Sequence, residues 1–238
     1  ILNGDDPEIM GRPWLWPQSR LFFFGRELGG RDGATVAGTT VKVRGLGREE
    51  CYDLAATPLA ESPNRENGAA AILAARLLGC AESSIRQGLA GFAPLAHRMT
   101  LVAEIDGVRY IDDSKGTNIG AVGAALAGME GPVILIGGGR DKGGDYGFLN
   151  EAIRQHVKAL LLIGEAREKM AAAFTGLTAI EKLDSLEGAV RRARQLAQPG
   201  DTVLLSPGCA SFDMFTSYAH RGEVFRQAVA GLAACDRN

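Results

Sequence analysis

The chain has 238 residues, enough for one large domain or two small ones. Its composition is 46% hydrophobic with a net charge of −2, which fits a globular protein and offers no basic face for nucleic acid. The longest unbroken apolar run, 69–75, is too short to span a bilayer, and no leader peptide is expected.

The chain opens Ile1-Leu2-Asn3 without an initiator Met, which reads as an apolar strand cut open and predicts a piece of a longer protein. Residues 1–60 read as short strands and loops, with a buried strand over 21–24 and strand-like alternation over 34–43. The run 66–79 predicts a strong helix stopped by Gly79, and a second helix follows over 82–89 with Ser83 as its candidate cap. Gly91-Phe92-Ala93-Pro94 breaks the pattern and places a domain boundary between 1–94 and 95–238. Next comes a hairpin, 99–105 and 108–111, around Asp106-Gly107, a dipeptide suited to the twist of paired strands. A helix is expected over 119–128, with Thr117 or Asn118 as its N-cap. Strands over 133–136, 159–163 and 202–205 then alternate with helices over 148–156, 165–174, 186–197 and 215–234, with a short segment near 178–180. That alternation predicts an α/β fold with a Rossmann-like, mostly parallel sheet and flanking helices.

Parallel sheets bind ligands in loops at the carboxyl ends of their strands. Three loops meet that rule: 112–118, 137–143 and 206–213. They should share one rim and line one crevice. Asp112-Asp113-Ser114-Lys115-Gly116-Thr117-Asn118 collects carboxylates, an ammonium and hydroxyls at a helix start, and with Arg98 upstream suggests a phosphorylated ligand. Gly137-Gly138-Gly139-Arg140-Asp141-Lys142-Gly143 fails the GxGxxG template at Lys142, and its glycines also suit a plain tight turn. Lys142 there can present a compact positive charge to a carboxylate. In Ser206-Pro207-Gly208-Cys209-Ala210-Ser211-Phe212-Asp213, Ser211 reads as the cap of the last helix and a carboxylate donor, while Cys209 has no marked base and is not read as a nucleophile. Asn64 and Asn67, three apart at a helix start, are caps or contacts to a nucleotide. No GxxxxGK[ST] segment occurs. Cys51, Cys80, Cys209 and Cys235 form no CxxC pair and read as reduced cytoplasmic thiols. His97, His156 and His220 have no metal-ligand spacing, so no metal site is expected.

In this order the motifs resemble the Mur ligases over almost the whole chain. The resemblance rests on Asn3-Gly4-Asp5-Asp6, Asn64-Arg65-Glu66-Asn67, His97-Arg98, Asp113-Ser114-Lys115-Gly116-Thr117-Asn118, Gly138-Gly139-Arg140-Asp141-Lys142 and Ser206-Pro207-Gly208-Cys209-Ala210-Ser211-Phe212-Asp213, continued by Phe215, Tyr218 and Arg221-Gly222. Pro63 departs from the family, which usually has His before the Asn pair. The resemblance implies that 1–94 is the C-terminal part of a central ATP-binding domain and 95–238 a C-terminal amino-acid-binding domain. It points to the branch that adds D-glutamate to UDP-N-acetylmuramoyl-L-alanine through an acyl phosphate, in peptidoglycan precursor synthesis. By that resemblance Arg98 and Lys115 offset charge on the transferring phosphoryl group. Asp113, Asn64 and Asn67 belong to the nucleotide side. Lys142 and Thr117 hold one carboxylate of D-glutamate, and Ser211, Phe212 and Tyr218 the other. ATP and magnesium are implied, with the magnesium ligands outside this chain, and the chain alone is expected to be inactive. Two alternatives remain open: a related amide ligase, such as a folylpolyglutamate- or cyanophycin-type enzyme, and a non-catalytic Rossmann-type dinucleotide-binding domain.

Overall fold

The computed structural model describes residues 1–12, 18–60, 64–129 and 131–235. Pro63 lies outside the described residues. The chain divides into two compact units, Ile1–Pro94 and Leu95–Asn238.

The first unit carries strands β1 (Leu2–Asn3), β2 (Phe23–Gly25), β3 (Gly33–Ala37), β4 (Thr40–Arg44) and β5 (Glu50–Asp53), in that spatial order. β1, β2 and β3 run parallel, and β4 and β5 continue antiparallel. The alternation expected over 34–43 is therefore the β3–β4 hairpin. A short helix, α1 (Pro7–Met10), is capped by Asp6, whose side chain accepts from the amides of Glu8 and Ile9. Helix α2 (Asn64–Leu77) buries Gly68, Ala69, Ile72 and Leu73, one helical stripe, on the core of Val41, Val43, Tyr52 and Leu54. It ends where Gly79 takes φ +85°. Helix α3 (Glu82–Ala90) follows. Its cap position is Ala81, without a side-chain hydrogen bond, so Ser83 lies inside the first turn rather than capping it.

The second unit is a sheet of β6 (Thr100–Ile105), β7 (Val108–Asp112), β8 (Val133–Gly138), β9 (Val157–Ile163), β10 (Ala179–Lys182) and β11 (Thr202–Leu205), in the order β10-β9-β8-β11-β7-β6. All pairs are parallel except β6 with β7. Asp106 (φ 49°) and Gly107 (φ 73°) make the turn of that hairpin with left-handed backbones. The central strands are apolar at almost every position, Lys158 and Thr202 excepted, because both faces are covered. Val133, Leu135, Leu160, Leu162 and Leu204 point into one core, shared with α4 (Ile119–Ala127), α5 (Asn150–His156) and α6 (Arg167–Ala173). Their neighbours Ile134, Ile136, Leu161, Ile163, Val203 and Leu205 point into the other, shared with α7 (Leu186–Leu196) and α8 (Tyr218–Cys235). A 3₁₀ turn over Tyr146–Leu149 leads into α5.

The last helix starts three residues later than the apolar pattern suggests, and Ser217, not Ser211, caps it, its hydroxyl accepting from the His220 amide. Ser211 instead heads a turn in which its carbonyl accepts from the amides of Met214 and Phe215.

Candidate functional site

β7, β11 and β8 are adjacent and parallel, so the loops after them emerge at one rim of the second unit. Backbone hydrogen bonds tie these loops together. Gly208 N–H donates to Gly116 C=O at 2.8 Å, Gly138 N–H to Pro207 C=O at 2.9 Å, and Arg140 N–H to Ala210 C=O at 2.8 Å. The glycines of the second loop serve this close approach. A Cβ at Gly139 would sit 2.3 Å from the Ala210 carbonyl oxygen, and Gly139 adopts φ +129°. The amides of Gly138, Gly139 and Arg140 are thus engaged by backbone carbonyls. That accounts for the failed GxGxxG pattern: the segment clamps its neighbours instead of cradling a phosphate.

The first loop is organised by buried polar groups. Asp112, fully buried, takes the Ser114 amide on one oxygen at 2.9 Å and His97 Nδ1 on the other at 2.7 Å. Asp113 accepts from Ser206 Oγ at 2.7 Å, and burial pushes its carboxyl from the ordinary 3.8 up to about 6, opposed by the Ser206 hydrogen bond, a Met99 backbone hydrogen bond and the Arg98 charge. Lys115 donates its amide to His97 C=O at 3.0 Å and holds its ammonium 5.1 Å from the Tyr218 ring centroid. Arg98 is exposed beside this group. Cations and a carboxyl of raised pKa beside one another can steady a phosphoryl group in transfer.

Beneath the rim sits Arg221, with no exposed surface. Its Nε donates to Ser114 Oγ at 2.9 Å and one Nη to Ser114 C=O at 2.8 Å, with both Nη 3.3 Å from Cys209 C=O. Burial lowers its pKa to about 10, so it stays charged near neutrality. The sequence carries a faint sign of it: Arg221 falls on the apolar stripe of α8 with Phe225 and Val229, four residues apart. Gly222 lets α8 come close, since a Cβ there would lie 2.1 Å from His97 Nδ1.

On the other flank, Lys142 Nζ donates to Thr117 Oγ1 at 3.2 Å. Both line a cleft of about 290 Å³ with Asn118, Gly120, Asp141 and Gly208. Asn118 caps α4 by accepting from the Ala121 amide at 2.8 Å. The helix opens onto the cleft, and first-turn amides have no intrahelical partner. An ammonium, a hydroxyl and a helix N-terminus around one hollow suit an acidic ligand. Ser211 (2% exposed), Phe212 (63%) and Tyr218 (37%) are none of them part of the cleft lining, and the last two stand open at the surface. Cys209 is fully buried, and burial raises its thiol pKa, which makes it unreactive.

Asn64 and Asn67 belong to the first unit, at the start of α2. Asn67 is exposed and lines an apolar cleft of about 480 Å³ between α2 and α3. Among the described residues no group of three His, Cys, Asp or Glu is placed to hold a metal ion, and no helix is long and apolar enough to cross a membrane.

A parallel sheet with helices on both faces and three loops joined at one rim is an α/β domain of Rossmann-like type, and residues 97–209 match the family described as Mur ligase, glutamate ligase domain. The chain belongs to the Mur ligase family. It is 51% identical over 98% of its length to UDP-N-acetylmuramoylalanine--D-glutamate ligase of Syntrophotalea carbinolica, covering 51% of that protein. It is 40% identical, over the same shares, to the enzyme of that name from Syntrophus aciditrophicus. The chain therefore spans about half the length of the curated relatives it matches. Its fold is similar to a pseudomurein peptide ligase type C from Methanothermus fervidus (TM-score 0.70, 15% identity, 98% of this chain and 56% of that one).

Proposed function

We propose that this chain supplies the amino-acid-binding domain, and the end of the ATP-binding domain, of an ATP-dependent ligase that adds D-glutamate to UDP-N-acetylmuramoyl-L-alanine. The observation that carries the reading is the Lys142–Thr117 pair across the cleft at the start of α4, in a chain whose relatives bear that enzyme's name. Residues 1–94 are the end of the ATP-binding domain, and 95–238 the ligase domain.

In this proposal Lys142 and Thr117 bind one carboxylate of D-glutamate. Ser211, the backbone near Phe212, and Tyr218 hold the other. The substrate's carboxylate is first activated as an acyl phosphate by ATP. The amine of D-glutamate attacks its carbonyl carbon, the tetrahedral intermediate collapses, and phosphate leaves. Arg98 and Lys115 offset the charge on the moving phosphoryl group. Asp113 orients the nucleotide or a cation beside it, with Asn64 and Asn67 on the nucleotide side. Magnesium accompanies ATP in this proposal, with its ligands assigned to the part of the relatives that this chain does not match. With no GxxxxGK[ST] segment, the chain by itself is not expected to hydrolyse ATP. In this proposal the reaction runs in the cytoplasm.

The test is Lys142→Ala, assayed in the chain extended by the half its relatives possess. Losing a charge-assisted hydrogen bond should raise KM for D-glutamate roughly tenfold or more, with KM for ATP unchanged. Unaltered D-glutamate kinetics would remove the assigned site.

A further inference from the structure

The cleft has an odd lining for an acidic ligand: one of its walls is itself a carboxylate, Asp141. Left alone it would repel a second carboxylate at close range. The structure shows how it is occupied. One oxygen accepts from the Gly143 amide at 3.0 Å and from the Tyr146 hydroxyl at 3.0 Å. The other takes the Lys169 ammonium, from α6, at 2.7 Å. These bonds, with Lys169 contributing most, hold the Asp141 carboxyl below its usual range, so it is charged and compensated. Lys169 also lies 5.4 Å from the Tyr146 ring centroid.

The arrangement brackets Lys142. Asp141 precedes it, and the Gly143 amide that Asp141 accepts follows it, so the backbone on both sides of Lys142 is fixed by one carboxylate. Tyr146 is fixed in turn. It is 3% exposed, its ring meets Phe174 edge-on at 6.2 Å, and its hydroxyl lies 3.1 Å from Cys209 Sγ. With the hydroxyl proton given to Asp141, the thiol is the donor to the hydroxyl oxygen. Tyr146 therefore ties the loop of Lys142 to the buried base of the 206–213 loop.

We propose that Asp141, Tyr146 and Lys169 form a positioning unit that aims Lys142 and cancels the negative charge of the cleft wall, and so sets affinity for the acidic amino acid. This rests on the reading of the cleft as the D-glutamate site. Tyr146 and Lys169 act through Lys142 and Asp141 and touch no reacting atom.

The experiment compares Tyr146→Phe, Lys169→Met, Lys169→Arg and Lys142→Ala in the same extended chain, with KM for D-glutamate, KM for ATP, kcat and Tm measured for each. Tyr146→Phe keeps the ring and should raise KM for D-glutamate about fivefold. Lys169→Met, at a half-exposed pair, should raise it about threefold, and Lys169→Arg should restore it. KM for ATP and kcat should stay near wild type, a split that loosened packing alone does not give. If Lys142→Ala raises KM for D-glutamate while Tyr146→Phe and Lys169→Met leave it unchanged, the positioning unit is overturned and the D-glutamate site stands. Silence of all the variants overturns both. Should Tyr146→Phe lower Tm sharply, the Lys169 pair decides alone.

Discussion

The two flanks of the rim are built in opposite ways. The loop after β7 is anchored from below by groups without water: Asp112, Asp113, Ser114 and Arg221 are all buried. The loop after β8 is held more lightly, by an ion pair whose lysine is half-exposed, by backbone bonds and by one buried side chain, Tyr146. Buried polar networks tolerate one geometry and penalise any other, because an unpaired member loses its full desolvation. Exposed pairs give little energy and can rearrange. The phosphoryl side proposed here is thus the more tightly held, and the amino-acid side the more adjustable.

That contrast is broken most directly at Arg221. Arg221→Met strips partners from Ser114 and from the Cys209 carbonyl in the interior and should cost about 3 kcal/mol or more. Tm should fall by roughly 10 °C. A loss as small as that at Lys169, within about 2 °C, would erase the distinction between the flanks.

Asp113 sharpens it through pH. Its folded pKa is raised from 3.8 to about 6, chiefly by burial. The native state therefore holds that proton more tightly than the unfolded chain, and stability is lost as pH rises through this window. The loss can reach about 3 kcal/mol. Asp113→Asn does not titrate, so its Tm relative to wild type should climb between those two pH values. A difference that stays level across them would place Asp113 in contact with water.

The smallest effect is expected at the surface. Tyr218→Leu removes the ring under the Lys115 ammonium and should lower stability by no more than about 1 kcal/mol, read from the denaturant midpoint. A larger loss would mean that the exposed face of this flank is also locked.

The centre of the sheet was legible in the sequence because its strands are short, mostly apolar and closed by glycine or a polar turn, as in Val133–Gly138 and Thr202–Leu205. Two-sided burial leaves that signature and little else matches it. The Asp106-Gly107 hairpin was legible because the dipeptide names its turn. That the loops of Thr117 and Lys142 share a rim followed from the parallel alternation, although β11 lies between their strands; the pairing of those two residues came from the family resemblance. The helix start at α8 was not legible: Ser211 and Ser217 are both plausible caps, and a turn over 211–215 consumes the first. Nor was the anchoring of the rim. Arg221 meets Ser114 across 107 positions of sequence, and Asp141 with Lys169 across 28. No local pattern encodes such pairings, which arise only once the strands are in place.

The cross-stitched loops have a bearing on engineering. Gly116, Pro207 and Ala210 each supply a carbonyl to a different neighbour, so no segment of the edge keeps its shape by itself. A chimaera that imported only 206–213 from a ligase of other selectivity would keep the bonds from Gly138 and Arg140 only where the new backbone follows the same path. Altered substrate choice is best sought by transplanting the whole brim as a block, or by changing single side chains that project from it.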